Sequence, residues 1–475
     1  MAIKKFFATK DNTITDGYGS VMTTRGTAAN MGAADVLEVY SLYGAFATSS
    51  LEKSRFLVQF DTTDIATKRT DGDIPASGST SFFLKLTNTP HEGTQATDFT
   101  LTINAVSRSW DEGVGLDMDE YLDRGVSNWK TASYDGTTNT AWTTEGGDYH
   151  TSPETTVDFT TGIEDLDVDV TDIVEQWLAG TKSNYGFFIK LSSSYESGEA
   201  NTIASSSYYT KKFFARGSEY FFKRPSLDAR WNSSKGDDRG SFYASSSLAS
   251  STDNLNTIYL YNNIRGQLTN VPGVDTGAIY VNYYETLGGT ALNATAVTGG
   301  WSETGIYTAS AALTTTASSI YDVWFSGSTE YHTGSAITVK SFASDTYNPD
   351  SQYVVNVTNL QASYMTDSTT KDRIRLYIRK KGWSPTIYTT ATAAIESEVV
   401  KKVYYSIKRV IDNLVVVPYG TGSAEETLMS YDVSGSYADV DFSNFEAGYQ
   451  YEISFKLYLQ SKYIEPKNTF RFRVG

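Results

Sequence analysis

The chain has 475 residues, too many for one hydrophobic core, so two to four domains are expected. Its formal charge of −16 gives a surface that repels phosphate and argues against nucleic-acid binding along the whole chain. The absence of cysteine excludes a disulfide framework and any thiolate metal site.

In chain order, the start Met1–Lys10 is positively charged but lacks the apolar run of roughly seven or more residues that a secretory signal needs. No stretch approaches the ~20 apolar residues of a membrane span. The expectation is therefore a chain without export or membrane insertion. Strands with period-2 alternation follow at Arg55–Phe60, Phe82–Leu86 and Phe99–Ile103, separated by turn clusters such as Asp71-Gly72-Asp73. A short helical turn is expected over Met118–Leu122. The stretch from Val168 to Gly180 reads as an acidic strand running into one short helix, with Asp172 as its cap, Glu175 three residues on and Gly180 just past its end. Further strands are expected at Ser226–Trp231, Thr257–Tyr261, Ala278–Tyr284, Arg373–Arg379 and Tyr451–Leu457.

Polar breaks at Asn232–Gly240 and Ser344–Asp350 suggest three units, 1–232, 233–343 and 344–475. Their charges differ. Residues 1–232 carry 20 Lys+Arg against 32 Asp+Glu (−12), residues 233–343 carry 4 against 8 (−4), and residues 344–475 carry 15 against 15 (zero). The aromatic content of 14%, with 34 Tyr, favours strands. The expected fold is all-β: tandem β-sandwich domains of jelly-roll or immunoglobulin-like type, with one or two short helices.

Few residue patterns carry chemistry. His91, His150 and His332 are scattered, and no nucleophile elbow, zinc motif or phosphate loop is present, so no enzyme activity, cofactor or metal is expected. Asp165, Asp167 and Asp169 share one strand face but lack the glycine turn of a calcium loop, which makes them a solvated face. Asp111, Glu112, Asp117, Asp119 and Glu120 form an acidic loop with neither metal spacing nor a defined carboxylate pair. Trp129, Trp142, Tyr149, Tyr208 and Tyr209 are candidates for stacking on a sugar, whereas Trp110, Trp177 and Trp231 are read as core. The sharpest charged feature is the basic strand with Arg373, Arg375, Tyr377 and Arg379 on one face, continued by Lys380 and Lys381. It is either a wet outer face or a docking face for an acidic surface, such as the −12 unit of a neighbouring copy.

Two resemblances add context. Phe56–Asp61, Val106–Glu112, Trp129, Asp169–Gly180, Asn184-Tyr185-Gly186, Phe214-Ala215-Arg216 and Arg224–Leu227 occur in the order found in DNRLRE-type β-sandwich domains, so residues 1–232 resemble that family. The resemblance implies a surface-displayed sandwich related to carbohydrate-binding modules. The family's Ser-Arg-Glu neighbourhood is replaced by Gly217 and Ser218. Phe445–Tyr451 resembles the tyrosine corner of immunoglobulin-like and fibronectin-type sandwiches, with Ala447 in place of the usual Pro. The wider stretches Tyr353–Leu360, Arg375–Lys381, Val417–Gly420 and Leu428–Gly435, with the opening Lys4–Thr15, resemble virion proteins of tailed bacteriophages. They imply a non-enzymatic structural protein on the exterior of the capsid, neck, baseplate or fibre attachment. Its partners would be other virion proteins and copies of itself, it would be assembled in the host cytoplasm, and host glycan contact is a secondary expectation. The alternative is a carbohydrate-binding adhesin or surface glycan-binding module.

Overall fold

The computed structural model describes all residues except 1, 20–23, 46–49, 91–94, 118–125, 197–206, 341–352, 367–370, 383, 388–396 and 460. The expected turn at Met118–Leu122, the break at Ser344–Asp350 and His91 lie outside the described residues. The fold is nearly all β, and the chain divides into two compact units, Ala2–Asn232 and Ser233–Gly475.

The first unit pairs two antiparallel sheets. The smaller runs Ile3–Phe7, Ser226–Arg230, Ser81–Leu86, Leu166–Asp169. The larger runs Ser207–Phe214, Val36–Tyr43, Leu51–Gln59, Phe187–Leu191, Phe99–Val106, Tyr149–Phe159, with Lys10–Thr15 also beside Leu51–Gln59. Their facing side chains, including Phe6, Leu84, Leu227, Phe56, Ile103, Phe187 and Phe213, form one buried cluster. A second, smaller core containing Leu57, Val106, Trp110, Ala132, Trp142 and Phe188 covers the other face of the large sheet. This explains why Phe187–Leu191 is buried at every position and reads as an apolar run instead of an alternation.

Helices close the sandwich. One spans Thr62–Thr70, capped by the Asp61 side chain, which accepts from Thr63 N–H at 2.8 Å. The other, Thr171–Leu178, buries Ile173, Val174 and Trp177, and the Trp177 ring lies 4.7 Å from Phe187. The cap of this second helix differs from expectation. Val170, two residues before Asp172, occupies the cap position without a side-chain cap bond; Asp172 falls in the first turn, and Asp169 accepts from Thr171 N–H at 2.9 Å. Gly180 has the positive φ of 70° that ends it, and its N–H donates to the Trp177 carbonyl at 3.1 Å. The two helices are joined by an Arg69–Glu175 ion pair. A third, four-residue helix covers Ser193–Glu196. In the Asn184-Tyr185-Gly186 turn, Asn184 donates to the Phe60 carbonyl at 2.7 Å and Trp110 Nε1 donates to the Tyr185 carbonyl at 2.7 Å. At Gly186 (φ 92°) a Cβ would sit 2.4 Å from the Val58 carbonyl oxygen, so only glycine fits.

In the second unit, one eight-stranded sheet is built from residues 242–340, with its core at Ile258, Ile279, Val281, Tyr283, Tyr307 and Trp324. Two further sheets are built from residues 353–474. The four-stranded one runs Tyr353–Val357, Asp372–Lys380, Gly435–Val440, Ser430–Asp432. The six-stranded one runs Ser363–Tyr364, Phe470–Val474, Gln450–Leu459, Lys402–Arg409, Val415–Val417, with Lys462–Ile464 beside Gln450–Leu459. Tyr451 is fully buried, and its hydroxyl donates to the Glu446 carbonyl at 2.8 Å, forming the corner although Ala447 replaces proline.

Candidate binding surfaces

The strand Asp372–Lys380 lies between two partners in its sheet, so its side chains project to the two faces in alternation. Ile374, Leu376 and Ile378 are buried on one face. On the other, Arg373 forms a two-pronged pair with Asp439 (2.8 and 3.0 Å), and Arg375 forms one with Asp432 (3.0 and 2.8 Å). Both guanidinium groups lie over the Tyr437 ring, at 4.1 and 5.2 Å. Burial pushes the Asp439 carboxyl up, but the Arg373 pair holds it below its ordinary value. Acidic partners for these two arginines are thus supplied within their own sheet, by the strands Gly435–Val440 and Ser430–Asp432. Tyr377 is half-buried on the same face.

The cationic end of this strand lies elsewhere. Arg379, Lys380 and Lys381 line a cleft of about 590 Å³ with Lys340, Tyr243 and Glu398. Lys380 Nζ is 3.8 Å from Glu398. Lys340 donates to the Gly240 carbonyl at 3.2 Å. Lys340 was not found from sequence, because it stands alone in its strand and reaches the cleft only through the fold.

A buried polar joint was also missed. Arg239 donates twice to Asp322, at 2.6 Å each, and Trp324 Nε1 donates to the same carboxylate at 2.6 Å. Asp238 accepts from the Tyr431 hydroxyl at 3.1 Å and pairs with Lys401 at 3.0 Å. Burial pushes the neighbouring Asp237 carboxyl up to about 6, opposed by Arg239. These residues connect the turn Asp237–Gly240 to strands 319–326 and 430–432.

In the first unit the five aromatic candidates do not form one platform. Trp129 and Trp142 are each 5% exposed, and Trp142 Nε1 donates to the Asn128 carbonyl at 2.8 Å, so neither ring offers a face to a pyranose. Trp142 belongs to the second core, and Arg55 lies over the Trp129 ring at 5.1 Å. Tyr149 stacks on Phe188 at 4.7 Å, and it lines a groove of about 660 Å³ with Lys53, Arg55 and Arg108. Tyr208, exposed, and Tyr209, packed on Tyr195 at 4.8 Å, lie on the strand at the opposite edge of the sheet.

The acidic candidates are held in local structure. Asp165 accepts from Asn88 N–H at 2.7 Å and Asp167 pairs with Arg230 at 2.9 Å. Asp111 accepts from Tyr134 N–H at 2.9 Å and Glu112 pairs with Arg216 at 2.9 Å. Asp117 lies in the same loop, while Asp119 and Glu120 fall outside the described residues. No group of three or more His, Cys, Asp or Glu placed to hold a metal occurs among the described residues. His150 lies on an edge strand, where burial lowers its pKa, and His332 is exposed in a hairpin.

No family model matches the chain, and no curated protein matches it. Among solved structures, a marsupial T cell receptor is similar at 7% identity over 50% of this chain and 70% of that one, with a TM-score of 0.16. The Yersinia pseudotuberculosis adhesin InvE is similar at 14% identity over 46% and 54%, with a TM-score of 0.14. The FN1–FN3 domains of chicken CNTN1 are similar at 12% identity over 58% and 85%, with a TM-score of 0.14. Likeness at these TM-scores carries no argument.

Proposed function

We propose that this chain is a non-enzymatic structural component of a tailed-bacteriophage particle, working through protein–protein assembly. The observation that carries this reading is the segregation of charge in a tandem all-β scaffold. The first unit holds −12 of the −16 charge, and a cationic cleft opens where the strand Asp372–Lys380 ends. Complementary surfaces of this kind steer and register protein partners. The particle setting rests on the resemblance of Tyr353–Gly435 and Lys4–Thr15 to virion proteins. No helix among the described residues is long and apolar enough to cross a membrane.

The reading is tested by incorporation. Replacing Arg373 and Arg375 by Glu would set like charges beside Asp439 and Asp432 and so report on folding. Lys380→Glu/Lys381→Glu is the informative variant: it should reduce the amount of the chain recovered in particles, and unchanged recovery would count against the cleft as the docking site. Glycan contact is a second reading, favoured by the Tyr149 groove. A glycan array that shows no binding by the full chain would remove it.

A further inference from the structure

We infer that the cationic cleft of one copy receives the acidic flank of the first unit of a second copy. The cleft's described lining presents Lys340, Arg379, Lys380 and Lys381 against Glu398, four formal positive charges to one negative, in a chain of net charge −16. At physiological ionic strength, charges farther apart than about 8 Å are largely screened, so two like-charged copies can still meet through local complementary patches.

The structure also shows where the complement lies. Residues 151–181 contain eight Asp+Glu and no Lys or Arg. They take in the strand Tyr149–Phe159 from Thr151 to its end, the terminal strand of the large sheet, and Leu166–Asp169, the terminal strand of the small sheet. Both sheets of the sandwich therefore end on one flank, and that flank is net acidic, with Lys182 donating to the Ser152 carbonyl on the same strand. Arg230 and Arg69 offset Asp167 and Glu175. Glu154 and Asp158 are exposed and accept from the neutral groups Asn104 Nδ2 (3.2 Å) and Thr100 Oγ1 (2.6 Å), with the Lys190 charge acting on Glu154 from the same sheet. Charged side chains on a terminal strand also discourage indiscriminate edge-to-edge pairing, which leaves a charge-matched partner as the favoured contact. A cleft-to-flank contact joins two different surfaces, so it propagates head to tail and either closes into a ring or extends as a filament.

This inference deepens the assembly reading and takes its biological setting from it, but its test needs only the purified full-length chain. Sedimentation velocity at about 0.1 M salt should show concentration-dependent self-association that is lost at about 0.5 M salt, where screening is stronger. Lys380→Glu/Lys381→Glu and Glu154→Lys/Asp158→Lys should each weaken association about ten-fold or more, with unchanged circular dichroism. A one-to-one mixture of the two variants, whose reversed surfaces now match across copies, should recover it. A wild-type chain that stays monomeric, variants that associate like wild type, or a mixture that fails to recover would each overturn the inference. Absence of the chain from particles would instead sink the virion setting and leave this result standing.

Discussion

The hydroxyl of Tyr431 donates to the Asp238 carboxylate at 3.1 Å, linking strand Ser430–Asp432 to the turn that opens the second unit. Beside it, the Arg239–Asp322 pair reaches strand Ser319–Ser326. The two halves of that unit, residues 242–340 and 353–474, are thus tied through three consecutive residues, Asp237, Asp238 and Arg239.

Removing one member of this joint should be costly. Asp322 is fully buried, and Asp322→Ala removes the two short bonds of Arg239, leaving it only the looser contact with Asp237 at 3.8 Å. The expected loss is about 3–5 kcal/mol, measured by equilibrium denaturation in urea. A loss under about 1 kcal/mol would mean that Arg239 finds water or another partner.

Asp237 gives a pH dependence of opposite sign to ordinary acid denaturation. Burial raises its folded-state pKa from 3.8 to about 6, so the native state holds this proton more tightly than the unfolded chain. The stability it contributes is present below about pH 4 and is lost as pH rises through about 6. Asp237→Asn, which can still accept from Arg239 N–H, should therefore stabilise the protein by about 1–3 kcal/mol at pH 8 and by much less at pH 4. Equal effects at both pH values would contradict this assignment.

Asp228 in the first unit behaves the other way. Burial would raise its pKa, but Lys5, 2.9 Å away, together with Arg230 and Lys85 holds it at about 2. Its contribution is present above about pH 4 and is lost as pH falls through about 2. Asp228→Asn should cost about 2–3 kcal/mol at pH 7, and the difference from wild type should shrink steadily on acidification. A constant difference between pH 7 and pH 3 would show that packing, not charge, sets the cost.

The Tyr451 corner should contribute about 1 kcal/mol through its hydroxyl. Tyr451→Phe keeps the buried ring, which stacks against Phe472 at 5.9 Å, and removes only the bond to the Glu446 carbonyl. A shift in the urea midpoint without a change in slope is the expected result.

Much of the fold was legible because strands with one wet face alternate. Arg373–Arg379 places Ile374, Leu376 and Ile378 inward, as its spacing implies. Helix Thr171–Leu178 was legible through its clustered apolar residues and Gly180. Helix Thr62–Thr70 was not: its sequence is polar, rich in threonine and buries only Ile65, so its tie to the fold is tertiary, through Arg69 and Glu175. Trp129 and Trp142 read as exposed loop aromatics because nothing local reveals a second core on the far face of the large sheet. The partners of Arg373 and Arg375 lie 66 and 57 residues away, and Lys340 joins Arg379, Lys380 and Lys381 in the cleft only through the fold, so neither pairing nor cleft could be read from spacing.

The most direct test of the account is quantitative mass spectrometry of gradient-purified phage particles from a lysate that expresses this chain. The account predicts that the chain co-sediments with intact particles at a fixed ratio to the major capsid protein through repeated purification. Its absence from particles, or a ratio that falls toward zero with each round, would contradict it.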